Sequence, residues 1–108
     1  MTVNDLLLNE NFTAITLPDG EREISDVYIG DLLSWVMGRA KPDDAWITIM
    51  SNVNILAVAS LVDTACIILA EGVTIDDEIK NTAVQKNINI VSTKFSAFEA
   101  AVSINDLL

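Results

Sequence analysis

Three short apolar runs constrain this chain more than any other feature: Trp46 to Ile49, Cys66 to Leu69 and Ile88 to Val91. None of the three alternates cleanly between apolar and polar residues. A strand with one wet face alternates, whereas one covered on both faces stays apolar throughout. Each run is also followed by a helical pattern, so strands alternate with helices. Two further β-branched runs, Phe12 to Leu17 and Val27 to Ile29, complete the strand candidates. The pattern predicts a single α/β domain, residues 1–108, with a parallel or mostly parallel central sheet flanked by helices on both faces. In such a sheet every strand's C-terminal end opens toward a helix N-terminus, and ligands bind along that rim.

The helices announce themselves by their starts. A Thr or Ser followed three residues later by an acid recurs at Thr2 with Asp5, Thr74 with Asp77 and Ser96 with Glu99. In each pair the hydroxyl can accept from an N–H of the first turn that has no partner in the helix. These caps predict helices at about 3 to 9, 75 to 86 and 97 to 107, with Lys80 and Lys86 toward the end of the second. Two more are predicted at Asp31 to Met37, closed by Gly38, and at about Asn52 to Leu61. The last of these is apolar nearly all round, small Ala57, Ala59 and Ser60 included. Leu32, Leu33, Trp35, Val36 and Met37 cannot all point inward from one short helix. The surplus suits either a subunit interface or a second layer of core beneath the N-terminal helix.

Composition removes whole classes of chemistry. The net charge of −10 argues against nucleic acid or a membrane surface as partner. The acids are spread evenly, without a tail. The chain has no histidine, and its single Cys66 cannot form an internal disulfide, so histidine-based proton transfer, histidine metal sites and a disulfide framework all fall away. A reducing cytoplasm fits, and the start MTVNDLLLNENF is expected to be native structure rather than a signal peptide. The most apolar stretch, Ile55 to Ala70, is cut by Asp63 and Thr64 far short of the roughly 20 residues that span a bilayer. No Walker-type phosphate loop or dinucleotide fingerprint is present.

The chemistry that remains lies in four predicted rim loops: Gly30-Asp31, Ser51-Asn52-Val53-Asn54, Glu71-Gly72, and Ser92-Thr93-Lys94-Phe95-Ser96. Helix N-termini with hydroxyl and amide side chains can hold an anion by their backbone N–H groups, and Lys94 adds the one cation. The candidate ligand-binding residues are therefore Asp31, Ser51, Asn52, Asn54, Gly72, Ser92, Thr93, Lys94 and Ser96. The simpler reading is that Ser51, Asn52, Asn54 and Ser96 are caps and nothing more. Without histidine, only a Ser-Lys arrangement of Lys94 with Ser92 or Ser96 could activate a nucleophile. Asp43-Asp44 and Asp76-Asp77-Glu78 are carboxylate clusters, but a turn after Pro42 and a first helical turn account for them. No catalytic residue, metal site or cofactor is assigned.

Several segments together are familiar: V-Y-I-G-D-L-L-S-W-V-M-G from Val27 to Gly38, W-I-T-I-M-S-N-V-N-I-L-A-V-A from Trp46 to Ala59, C-I-I-L-A-E-G from Cys66 to Gly72, and I-V-S-T from Ile90 to Thr93. Over nearly its whole length the chain resembles the DRTGG domain family, similar in fold to the amino-terminal domain of HPr kinase/phosphorylase. The resemblance implies a non-catalytic regulatory module of the kind found inside phosphotransacetylases and CBS-domain pyrophosphatases. It implies a homodimer, with an adenine nucleotide, a diadenosine polyphosphate or another small anion bound nearby. For stand-alone copies it implies a signalling or redox protein as partner. Where the family commonly has G-D-R, this chain has Ser51-Asn52-Val53, and its T-G-G reads Ala70-Glu71-Gly72. The arginine that would pair with a phosphate is absent. Gly72, the Ser92-Thr93 pair and Ser96 are the positions that carry over.

Overall fold

In the computed structural model, which describes residues 1–108, the apolar runs lie side by side in one five-stranded sheet. In chain order the strands are β1 (Phe12–Thr16), β2 (Asp26–Ile29), β3 (Asp44–Thr48), β4 (Cys66–Leu69) and β5 (Ile90–Thr93). Across the sheet they run β1-β5-β4-β3-β2. The β2-β3, β3-β4 and β4-β5 pairs are parallel, and β1 alone runs antiparallel, against β5. The expected mostly parallel sheet is found, with its odd strand at one edge.

The helices are α1 (Val3–Leu6), α2 (Leu33–Arg39), α3 (Asn54–Val62), α4 (Asp77–Gln85) and α5 (Ala97–Asn105). Alternate strand residues feed two cores. Trp46, Ile67, Leu69 and Ile90 pack with Val36 of α2, Ile55 and Val58 of α3, and Ile79 and Ala83 of α4. Ala45, Ile47, Cys66, Ile68 and Val91 pack on the other face with Val3 and Leu6 of α1 and Ala100 and Ile104 of α5. Trp46, Ile47, Ile67, Ile68 and Ile90 are fully buried, each contributing about 1.5–3 kcal/mol by leaving water. That double burial is the physical source of the nearly unbroken apolar runs, which only Thr48 and Asn89 interrupt.

Several expected boundaries move. The α4 cap is Asp76, whose carboxylate accepts from the Ile79 N–H at 2.9 Å, rather than Thr74. Asp caps at least as well as Thr, and Thr74 stays in the preceding loop. Lys80 therefore sits in the first half of α4, 3.6 Å from Asp77, while Lys86 follows the last turn. Gly38 lies inside α2, which ends when Ala40 turns extended just ahead of Pro42. β5 begins at Ile90, one residue after the buried Asn89, whose carbonyl accepts from the Ile67 N–H at 2.9 Å while its side chain bonds Asp19 and Ala65. The Thr2 and Ser96 caps are both reciprocal boxes as expected, although α1 is only one turn long.

Residues 17–25 carry the chain from β1, at one edge, to β2 at the other, passing beneath the N-terminal ends of the parallel strands. This belt is stitched at each strand it passes. Asp19 exchanges backbone bonds with the Asn89 side chain at 2.7 and 3.0 Å. Arg22 donates from Nε to Asp43 at 2.9 Å and from its fork to the Asp63 carboxylate and carbonyl at 3.1 and 2.8 Å. Asp43 and Asp63 both have positive φ, at 69° and 67°, and the same guanidinium holds both turns. Ser25 then donates to the Asp43 carbonyl, and β2 begins.

At the outer edge, Gly30 N–H bonds Ile47, so by alternation the Val27 and Ile29 amides face outward. The Val27 N–H is taken by the Asp26 carboxylate at 2.8 Å. The α2 surplus is likewise exposed: Leu32, Trp35 and Met37 face solvent, with the Arg39 guanidinium 3.7 Å over the Trp35 ring. A second core layer under the N-terminal helix is ruled out, since α1 packs on the opposite face of the sheet.

Candidate functional site

Because β2 to β5 are parallel, their four exit loops share one rim. The reversed β1 adds its own start, Glu10 and Asn11, to the same edge. The strand order separates the loops along that rim, however. The Gly30-Asp31 and Ser92-to-Ser96 loops follow β2 and β5, three strand spacings apart or about 14 Å. The nine candidate residues therefore do not form one site.

On the β2-β3 side the candidates are structural or solvated. Asp31 accepts from the Thr48 hydroxyl at 2.9 Å and from the Ile49 N–H at 3.0 Å, fixing the exit of β3. Asn52 accepts from the Asn54 N–H at 2.9 Å and so opens α3. Ser51 and the Asn54 side chain are exposed.

On the β4-β5-β1 side a cavity of about 580 Å³ opens, and Gly72, Ser92, Thr93 and Lys94 all line it. Ser96 stands just outside. Its hydroxyl accepts from the Glu99 N–H at 3.2 Å, and Glu99 accepts from the Ser96 N–H at 3.1 Å, so the start of α5 is closed by its own side chains. Thr93 is buried, with its hydroxyl accepting from the Phe95 N–H at 3.1 Å. Ser92 is half-buried and Lys94 exposed, and no hydrogen bond joins Lys94 to Ser92 or Ser96.

The wall of the cavity is a strained turn. Glu71 and Gly72 both have positive φ, 60° and 71°, and the Val73 N–H returns to the Ala70 carbonyl at 3.2 Å. Two left-handed central residues inside such a bond make a type I′ turn, the geometry that glycine pairs adopt at least cost. Glu71 N–H donates to Phe95 and Gly72 N–H to Thr93, at 2.8 and 2.9 Å, which pins the turn against the exit of β5. The positions where the resemblance expects two glycines are these two left-handed residues. Gly72 thus acts through its backbone, and an added Cβ would meet nothing within 4 Å.

Sequence reasoning missed part of the lining: Glu10, Asn11 and Thr13 from β1 and its approach, Val73 and Thr74 from the loop before α4, and Glu99. The β1 residues reach the rim only because that strand is reversed. Thr74 is there because Asp76 took its capping role.

Away from the rim, the reactive-looking groups are committed. Burial pushes the Cys66 thiol up to about 12, outweighing the opposing pull of Arg22, so little thiolate forms near neutral pH. Burial also raises the Asp44 carboxyl above its ordinary value, against the lowering hydrogen bond from the Lys41 N–H at 2.8 Å. Asp43 faces Arg22 and Asp76 caps α4. No three acids or sulfurs approach closely enough to hold a metal ion, and no helix is long and apolar enough to cross a membrane.

Comparison with known proteins agrees with this architecture. Among curated proteins none matches the chain. Among solved structures, the regulatory region of Clostridium perfringens pyrophosphatase is similar, with a TM-score of 0.74 at 18% identity. That region comprises CBS and DRTGG domains and was solved in complex with its activator, diadenosine tetraphosphate. The likeness covers 95% of this chain and 45% of the other, so the chain spans about half of that regulatory region. The DRTGG domain model matches residues 14–107, nearly the full length, and with the shared sheet and helices this places the chain in the DRTGG domain family.

Proposed function

We propose that this chain is a non-catalytic regulatory module, working as a homodimer in the cytoplasm, that binds a small ligand in the rim cavity between β1, β5 and the turn at Glu71-Gly72. One observation carries the reading. The hydroxyls of Thr13, Thr74 and Ser92 and the ammonium of Lys94 surround that cavity without a hydrogen-bond partner inside the protein, whereas Asp19, Arg22, Asp43, Asp63 and Asn89 beneath the sheet are paired. A nucleotide or another small anion is the first class to test, because the structurally similar regulatory region was solved with a nucleotide activator. Gly72, Ser92, Thr93 and Lys94 are the ligand-facing candidates that remain; Asp31, Asn52 and Ser96 are positioning residues for the rim. An enzyme using Lys94 with Ser92 or Ser96 is disfavoured, since Ser96 is occupied by its capping box. The homodimer reading is supported by the uncovered Leu32 at the start of α2, Trp35 and Met37 within it, and Leu61 of the adjacent α3. A partner protein of signalling or redox type would use the same apolar surface.

A thermal-shift screen of nucleotides and common phosphorylated metabolites tests the ligand. At 100 times its dissociation constant a ligand adds about 2.7 kcal/mol, which should raise the melting temperature of a domain this size by roughly 10 °C or more. Absence of any shift replaces ligand sensing with a purely structural adaptor. Light scattering at two concentrations tests the dimer, and a monomer at both removes the subunit contact.

A further inference from the structure

The cavity's lining says which ligand it can accept. Thr13 and Ser92 are direct cross-strand partners in the antiparallel β1-β5 pair, so both hydroxyls rise from the same face of the sheet with Cβ atoms about 5 Å apart. Thr74 adds a third hydroxyl from the wall. Each can both donate and accept, which complements a molecule carrying several hydroxyls of its own.

The charges point further. Lys94 is the single cation of the lining, and it shares the cavity with two carboxylates, Glu10 and Glu99. The backbone offers no second anion site, because Ser96 and Glu99 close the start of α5 and Asp76, followed by Asp77 and Glu78, occupies that of α4. Lys94 gives one anionic group a direct partner, although Glu10 and Glu99 leave the lining net negative. A second would face carboxylates with nothing to neutralise it. The volume of about 580 Å³ lies within the range of small-molecule sites.

Resting on the reading of this cavity as the ligand site, we infer that its occupant is a polyhydroxylated small molecule bearing one anionic group, of the sugar monophosphate class, and that polyphosphates are refused. Amide NMR titrations of the full chain with fructose, fructose 6-phosphate, fructose 1,6-bisphosphate, ATP and inorganic phosphate separate the contributions. Fructose 6-phosphate should bind with the largest shifts at Gly72, Ser92 and Lys94, at least tenfold tighter than fructose or phosphate. The bisphosphate and ATP should bind at least tenfold more weakly than the monophosphate. Lys94→Gln should abolish the preference for the monophosphate over fructose, and Glu10→Gln should narrow the gap between mono- and bisphosphate. Tighter binding of ATP or the bisphosphate, with the same amides moving, overturns the single-anion inference while leaving the cavity as the site. Inorganic phosphate binding as tightly as the sugar phosphate overturns the polyol part. Shifts confined to other amides, or none with any probe, overturn the inference and the site reading together.

Discussion

The two ends of the parallel strands use polar residues in opposite ways. Beneath the sheet, Asn89, Asp19, Arg22, Asp43 and Asp63 form a continuous set of short contacts that ties residues 17–25 to the starts of β3, β4 and β5. At the opposite rim, the side chains of Thr13, Thr74, Ser92 and Lys94 bond to nothing within the chain. The set beneath the sheet holds the fold, whereas these four side chains lining the cavity remain free, unlike the paired Asp31 and Ser96 elsewhere on the rim. On the proposed reading, stability and recognition are separated by the length of a strand, so the rim could change without loosening the belt.

The largest test of that contrast is Asn89→Ala. It removes three hydrogen bonds, to the Asp19 N–H, the Asp19 carbonyl and the Ala65 carbonyl, and leaves buried groups unpaired. It should cost about 3 kcal/mol in urea unfolding, against no more than about 0.5 kcal/mol for Ser92→Ala at the rim. Equal costs would erase the distinction. A smaller effect of opposite sign is expected from Glu71→Gly. Relieving a left-handed non-glycine residue should stabilise by up to about 1 kcal/mol; a loss would mean that the Glu71 side chain, not its backbone, serves the turn.

The smallest effect sharpens the contrast from below. A carboxyl whose pKa rises on folding favours the native state while protonated, so its contribution is present at low pH and is lost as the pH climbs from 3.8 through the raised value. Asp44→Asn removes that slope. The variant should match the parent near pH 3 and overtake it toward neutrality. Urea unfolding across that range checks this, and a parent that stays ahead at pH 7 would show that the Asp44 charge is satisfied rather than merely tolerated.

Much of the fold was legible because burial on both faces leaves its mark in composition: Trp46 to Ile49 and Cys66 to Leu69 can hardly be anything but central strands. Two of three caps were legible because the reciprocal pairs Thr2 with Asp5 and Ser96 with Glu99 are local. The direction of β1 was not, since nothing within Phe12 to Thr16 records which way its neighbour runs, and that one missing fact hid Glu10, Asn11 and Thr13 from the site. Thr74 was obscured by a competing local rule, because Thr74 and Asp76 can each cap the same helix and only packing selects between them. The engagement of Asp31 with Thr48 and Ile49 was not legible because it spans seventeen and eighteen residues.

Asp26 has a role beyond its own strand. By occupying the outward Val27 amide, its carboxylate withholds from any incoming chain one of the few donors on that margin and places a negative charge beside it. Fibril growth by edge recruitment is hindered along the β2 margin, which lends the domain resistance to polymerising through its own β-structure.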